Sequence, residues 1–166
     1  MAAPRWIPAY VGLGSNLDDP QRQVERALDE LCRLHGSLCV RRSALYRSRP
    51  LGPVAQPDFV NAVAGMLTHL EPAGFLAELK ALEARLGRQR PVQRWGPRRI
   101  DLDLLVHGTA SIDEPGIRVP HPGLAERAFV LVPLAEVAPD LAVPGLGPVS
   151  RLLGRIERSG LERIEP

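Results

Sequence analysis

The sequence has few of the features that would define its class at once. It has only two cysteines, Cys32 and Cys39, too few for a disulfide framework and not spaced as a metal-binding set. No apolar run approaches the roughly 20 residues that a membrane-spanning helix needs, and the N-terminus has no stretch of signal-peptide length. We therefore expect a cytoplasmic protein whose two thiols are packing or surface residues.

The glycine loops that usually bind phosphate are also missing. There is no GxxxxGK[ST], and the segment GLGSN at 12–16 lacks the third glycine of a dinucleotide fingerprint. We interpret Gly12 and Gly14 as turn and packing residues. Lys80 is the only lysine, so nearly all positive charge is arginine, whose guanidinium matches phosphate oxygens. Any phosphate binding must therefore come from arginine and metal.

The pattern of apolar residues predicts one α+β domain spanning residues 1–166, with no internal repeat or long linker. Alternation and helical spacing predict, in chain order, strand 9–13, a helix from Asp19-Pro20 to Gly36, strands 38–47 and 59–67, a helix from Pro72 to Gly87, and strand 100–106. Further along we expect an extended piece at 117–119, a short helix or irregular segment at 129–137 and an amphipathic helix at 148–158. This order predicts a ferredoxin-like βαββαβ sandwich, with a mostly antiparallel sheet and helices packed on one face.

Two acidic residues stand out in the last of these strands. Asp101 and Asp103 are two apart, so both side chains leave the same face of the strand, while Ile100, Leu102 and Leu104 face the core. Carboxylates held this close repel each other unless a cation lies between them, and Mg²⁺ takes carboxylate and phosphate oxygens together. The alternative is a half-exposed strand with a solvated acidic face.

An arginine-rich segment precedes the acid pair. No acidic residue lies between Glu83 and Asp101, and that gap contains Arg85, Arg88, Arg90, Arg94, Arg98 and Arg99. So positive a segment favours a bound anion, such as a polyphosphate held through metal at the two aspartates. A solvated basic loop would have the same composition.

The strand 59–67 offers a different kind of site. Phe59 and Asn61 share one face, so a flat heterocycle could stack on the ring and hydrogen-bond the amide. Asn61 could equally be buried and satisfied by backbone. Phe129 could form a second wall or belong to the core, and His121 could contact phosphate or lie on the surface.

Four segments resemble one known family. They are LGSN near the start, PLGPVAQPDFVNAV at 50–63, GRQRPVQRWGPRRIDLDLLVHG at 87–108 and VPHPGLAERAFVLVPLAEVAPDL at 119–141. Together they resemble the 6-hydroxymethyl-7,8-dihydropterin pyrophosphokinases of folate biosynthesis, over almost the whole chain and in order. The resemblance implies transfer of the β,γ-diphosphate of ATP to the pterin hydroxymethyl group, with release of AMP. It also implies a monomer without nucleic-acid or membrane partners.

The resemblance further implies roles for individual residues. Two Mg²⁺ ions would bind Asp101 and Asp103, which with Arg88 and Arg98 form the catalytic set. The pterin would contact Ser48, Arg49, Leu51, Phe59, Asn61 and Phe129. ATP would contact Arg88, Arg90, Trp95, Arg98, Leu104, His121 and Arg127, with the segment 117–119 near the adenine. No residue stands out as a dedicated general base.

A binding module is the competing hypothesis. Ferredoxin-like sheets with basic loops and exposed aromatic residues can bind single-stranded RNA. Against this, the chain has only 4% aromatic residues and two acids in the middle of the candidate surface. Magnesium-dependent ATP binding would favour the kinase, whereas salt-sensitive RNA binding without magnesium would favour the module.

Overall fold

The computed structural model describes residues 3–87, 96 and 99–166. The strands are Ile7–Ser15 (β1), Ser37–Arg42 (β2), Leu45–Ser48 (β3), Phe59–Thr68 (β4), Asp101–His107 (β5), Ile112–Glu114 (β6), Ile117–Val119 (β7), Ala142–Val143 (β8), Gly147–Pro148 (β9) and Glu162–Ile164 (β10). The α-helices are Pro20–Leu31 (α1), Pro72–Arg85 (α2), Ala128–Val137 (α3) and Val149–Leu153 (α4).

The main sheet has the order β10-β3-β4-β1-β5, and β2 pairs with the other end of β4. Every pair in it is antiparallel. Strand β1 is central because it pairs with both β4 and β5, which places the first strand of the chain beside the last long one. This confirms the ferredoxin-like α+β fold predicted from the order of elements.

Apolar side chains form one core on each face of the sheet. Helices α1 and α2 bury their apolar residues against the face that carries Ala9, Val11 and Leu13 of β1. Helices α3 and α4 pack on part of the opposite face, around Val63 of β4 and Leu105 of β5. The layer of α1 and α2 on one face of the sheet was predicted. The layer of α3 and α4 on the opposite face was not predicted.

The predicted strand 38–47 is wrong as a single element, because it divides into β2 and β3. Ser43 bridges the break: its backbone N–H donates to the Val63 carbonyl at 2.9 Å, and its Oγ accepts from the Val63 N–H at 2.9 Å. The Glu136 carboxylate of α3 accepts from the Ala44 N–H at 2.7 Å and from the Tyr46 hydroxyl at 2.5 Å. Side chains thus replace the backbone partners lost where the strand changes direction.

Other boundaries also differ from the prediction. Strand β1 continues to Ser15, so the segment GLGSN is mostly strand. Helix α1 ends at Leu31, and Gly36, with φ of 68°, forms the turn into β2. Helix α4 stops before Gly154, although Ile156 still packs against the second core. No apolar pattern predicted β10, whose short edge strand is mostly exposed.

Among the residues that the structure describes, no helix is both long enough and apolar enough to cross a membrane.

Candidate active site

A cavity of about 340 Å³ opens on the face of the sheet that α3 covers only in part. Its floor comes from β1, β4 and β5, and its sides come from Ser48 to Leu51, from His121 and from the start of α3. Ten predicted site residues line it: Ser48, Arg49, Leu51, Phe59, Asn61, Asp101, Asp103, His121, Arg127 and Phe129. The antiparallel pairing is what brings these distant parts of the chain to one place.

The floor of the cavity is an ordered row of side chains. Asn61 of β4, Gly14 of β1 and Asp101 of β5 lie opposite one another in register, and Val63, Gly12 and Asp103 form the next row. Because β1 lies between β4 and β5, the backbones of Asn61 and Asp101 are two strand spacings apart, or about 10 Å. The glycine between them has no side chain, so the space above it is open.

Gly12 and Gly14 are therefore part of the cavity, which the sequence analysis missed. A Cβ at Gly14 would lie 3.4 Å from Asn61 Oδ1 and 3.9 Å from Phe59 Cδ1, and one at Gly12 would lie 3.3 Å from Leu105 Cδ2. Interpreting them as turn residues was wrong, because both lie within β1. Two glycines at alternate positions of a strand are a sequence signal for close approach of another group.

Asn61 is buried, with 4% of its surface exposed, and its orientation is fixed. Its Nδ2 donates to Ser48 Oγ at 2.8 Å and to the Tyr46 carbonyl at 3.2 Å. These two acceptors use the amide hydrogens and turn the carboxamide oxygen towards Gly14. The polar group that Asn61 presents over the floor is consequently an acceptor.

His121 lies between the acid pair and Arg127. Its Nε2 is 3.9 Å from Asp103 Oδ2, and its Nδ1 accepts from the Gly123 N–H at 3.0 Å. Burial lowers the pKa of His121, the charge of Arg127 lowers it further, and Asp101 opposes both. The ring is therefore neutral at pH 7, and because Nδ1 is an acceptor the proton lies on Nε2.

Arg127 lies at the N-terminal end of α3, with its guanidinium carbon 6.0 Å from the centre of the Phe129 ring. A Cβ at Gly123 would come within 2.6 Å of Arg127 Nε, so Gly123 leaves the space that this arginine occupies. The side chain thus provides positive charge and packs on an aromatic wall of the same cavity.

A second cavity of about 320 Å³ adjoins the first and shares Asp103 and His121 with it. Leu104 and Ile117–Val119 line it, together with Leu76 and Lys80 of α2. The structure therefore separates Leu104 from the main cavity. Asp103 and His121 stand at the boundary between two spaces, each large enough for part of a small ligand.

Several predicted residues lie outside the described part of the chain, namely Arg88, Arg90, Trp95 and Arg98. Arg99, which follows them, forms an ion pair with a carboxylate. Its Nη2 is 2.6 Å from Asp18 Oδ2, and its Nε is 3.0 Å from the same oxygen. Arg99 ties the start of β5 to the turn before α1.

The donor set at the acid pair suits Mg²⁺ held jointly with a phosphate. Asp101 and Asp103 share one face of β5, with 38% of the Asp103 side chain exposed. No group of three or more possible metal ligands occurs among residues 3–87, 96 and 99–166. Mg²⁺ often binds one or two carboxylates plus substrate phosphate oxygens and keeps the rest of its shell as water. Two hard oxygen donors beside a cavity fit that mode.

The fold and the cavity together define an α+β domain with a pocket lined by aromatic, amide and carboxylate groups. A sequence profile described as 7,8-dihydro-6-hydroxymethylpterin-pyrophosphokinase matches residues 10–139. The chain belongs to this family.

Curated relatives are similar over nearly their whole length. The 2-amino-4-hydroxy-6-hydroxymethyldihydropteridine pyrophosphokinase of Pseudomonas aeruginosa is 47% identical over 155 residues, covering 93% of this chain and 95% of the relative. The enzyme of the same name from Haemophilus influenzae is 40% identical over 160 residues, covering 96% and 99%. These similarities agree with the kinase hypothesis and lend no support to the RNA-binding module.

Solved structures share the fold at low sequence identity. The wild-type Plasmodium falciparum HPPK-DHPS crystal structure has a TM-score of 0.74 and 13% identity over 98% of this chain. An HPPK-DHPS structure described as in complex with substrates has a TM-score of 0.75 and 12% identity over 97% of it. This chain spans about half the length of those chains, 49% and 47% respectively.

Proposed function

We propose that the main cavity is where this chain carries out the reaction of its family. The chain is a diphosphokinase of folate biosynthesis that uses ATP as co-substrate. It transfers the β,γ-diphosphate of ATP to the hydroxymethyl group of 6-hydroxymethyl-7,8-dihydropterin and releases AMP. The observation that carries the site assignment is the row Asn61, Gly14 and Asp101, which places a fixed acceptor and an acid on either side of an open floor.

The pterin ring lies over Gly14 in this proposal. Phe59 and Phe129 line the same cavity and can stack on a flat heterocycle. Asn61 Oδ1 accepts a ring N–H, since its amide hydrogens are used by Ser48 and Tyr46. Leu51, which is 43% exposed at the rim, provides apolar surface that a bound ring would cover.

The triphosphate of ATP lies at the boundary of the two cavities. Neutral His121 donates from Nε2 to a phosphate oxygen, and Arg127 offsets negative charge that develops during transfer. The adenosine end occupies the second cavity, against Leu104 and the segment Ile117–Val119. We also assign phosphate contacts to Arg88, Arg90 and Arg98, and a part in covering the site to Trp95, on the resemblance alone.

Asp101 and Asp103 would hold two Mg²⁺ ions with the phosphates. When bound, the ions supply charge neutralisation and lower the pKa of the attacking hydroxyl. The chain's own residues position the hydroxymethyl oxygen for in-line attack on the β-phosphorus, which is most of the catalysis in phosphoryl transfer. Among the described residues we assign no dedicated general base. We further propose that residues 1–166 act as one cytoplasmic, monomeric domain, without nucleic acid or membrane partners.

The test is AMP release from ATP and the hydroxymethyl-dihydropterin, measured with and without Mg²⁺. We expect Asp101→Asn and Asp103→Asn each to lower kcat by about 10³-fold, the scale of losing a principal electrostatic contact. Asp140→Asn removes the same charge at an exposed position and should leave kcat unchanged. A folded double variant, Asp101→Asn with Asp103→Asn, that retains near-normal transfer would refute the assignment.

A further inference from the structure

The two cysteines lie together at the end of the sheet away from the cavity. Cys32 caps the C-terminal end of α1, and Cys39 lies in β2 opposite Met66, whereas the cavity is lined by residues 59 and 61–63 of the same β4 strand. Both are free thiols and both are partly exposed. The antiparallel return of the chain through Gly36 brings them to one place.

A guanidinium completes this group. Arg42 Nη2 lies 3.0 Å from Cys32 Sγ, and Arg42 Nη1 lies 3.0 Å from Asp29 Oδ1, so the carboxylate holds the arginine against the sulfur. A cation in contact with a sulfur stabilises the negative charge that the sulfur carries as it reacts. Nothing in the diphosphokinase reaction uses this cluster.

Cys39 is the second thiol of the cluster. Burial raises the pKa of Cys39 to about 11, a hydrogen bond with Cys32 adds to the effect, and Arg42 opposes it. Cys39 therefore stays protonated at neutral pH, within hydrogen-bonding reach of Cys32. Because Arg42 contacts the Cys32 sulfur, we assign Cys32 as the sulfur that reacts first and Cys39 as the one that completes the disulfide.

We propose that Cys32 and Cys39 form a reversible oxidation site that peroxide converts into a disulfide. The Cys32 sulfur attacks a peroxide oxygen, the O–O bond breaks, and the Cys32 proton leaves with the released hydroxide as water, so that sulfenic acid forms on Cys32. The Cys39 sulfur then attacks Cys32, the S–O bond breaks, and the Cys39 proton leaves with the hydroxyl as water. Two thiols and one hydrogen peroxide thus give one disulfide and two waters, and a thiol reductant reverses the change.

The bond would connect the end of α1 to β2 across the turn at 33–38. Such a short loop restrains the unfolded chain, so the disulfide form should unfold at a higher temperature, by about 5 °C for a chain of this size. The thiol pair lies outside the cavity, and the experiment measures thiol content and melting temperature. A negative result would therefore not contradict the proposed catalytic function.

The experiment exposes the full chain to hydrogen peroxide at neutral pH, stops the reaction with catalase, and alkylates with N-ethylmaleimide before mass spectrometry. The reduced chain should take up two maleimides. The oxidised chain should take up none, remain monomeric on a non-reducing gel, and recover both alkylations after dithiothreitol. Two alkylatable thiols after oxidation, an intermolecular disulfide, or irreversible sulfinic acid on wild type would overturn the proposal.

Variants test the separate roles. In Cys39→Ser, Cys32 should stop at sulfenic acid and be trapped by dimedone, whereas Cys32→Ser should react far more slowly. Arg42→Gln should slow oxidation by about tenfold, because the guanidinium that contacts Cys32 Sγ no longer stabilises the charge on the reacting sulfur. Arg41→Gln makes the same change one residue away, at an exposed side chain, and should match wild type. Equal oxidation rates for Arg42→Gln and Arg41→Gln would show that the Arg42 guanidinium does not promote the reaction of Cys32.

Discussion

Replacing Gly14 by alanine tests whether the substrate ring lies over β1. The new Cβ would lie 3.4 Å from Asn61 Oδ1 and 3.9 Å from Phe59 Cδ1, which are ordinary contact distances. Gly14 is not in the left-handed region, so alanine fits the backbone. We expect the free energy of unfolding to stay equal or to rise by about 0.5 kcal/mol, since glycine in a strand costs conformational entropy.

The methyl group would nevertheless occupy the open floor of the cavity. A ring stacked at van der Waals distance over Gly14 would have to move, and one methyl-sized change in a fitted pocket is worth about 1–3 kcal/mol. We therefore expect kcat/KM for the pterin to fall about 10- to 100-fold, while KM for ATP changes by less than about twofold because the second cavity is untouched.

Steady-state AMP release, with each substrate varied in turn, measures both effects, and thermal melting checks the fold. Gly74→Ala is the matched control, because a Cβ there meets nothing within 4 Å. It should leave both kinetic constants unchanged. Unaltered kcat/KM for the pterin in a folded Gly14→Ala enzyme would show that the ring does not lie over this part of β1.

Three further predictions follow from the hydrogen bonds and charges of the structure. The pKa of His121 should lie below its ordinary value of 6.5, and Arg127→Gln should raise it, as followed by NMR titration of the ring; no change would remove Arg127 as a cause. Burial and then the Glu136 carboxylate raise the pKa of Tyr46 to about 12. This contribution to stability is complete below pH 10 and is lost as pH rises towards 12. Tyr46→Phe should therefore remove the phenolate transition near pH 12 and cost about 1.5–3 kcal/mol in denaturant melts. Ser43→Ala should cost about 1–3 kcal/mol, because the buried Val63 N–H loses its acceptor; an unchanged melt would mean that another acceptor replaces it.

Periodicity was enough to predict the main layers of the fold. The alternation of Asp101 and Asp103 with Leu102 and Leu104 assigned the correct faces of the first half of β5, because polar and apolar residues alternate there. The helix starting at Pro72 was also predictable from its apolar spacing. The strand break at Ser43 was not predictable, because the carboxylate that accepts a hydrogen bond there comes from α3, about ninety residues further along the chain.

The site residues were less predictable than the layers. Carboxylates, arginines and an amide beside an aromatic ring suggested a phosphate and heterocycle site, but each also had an ordinary structural explanation. Gly12 and Gly14 were misinterpreted because their function depends on the strands on either side of them. The thiol pair was overlooked for the same reason, since it depends on how α1 and β2 meet.

The order of helices and strands, the faces of the long strands and, through the motifs, the family can all be predicted from the amino-acid sequence. These follow from local periodicity and from residue types that stay together along the chain. The row of Asn61, Gly14 and Asp101 and the cluster of Cys32, Cys39 and Arg42 exist only in the folded chain. Strand register and helix packing set those distances, and both come from the burial of apolar faces contributed by segments far apart in the chain.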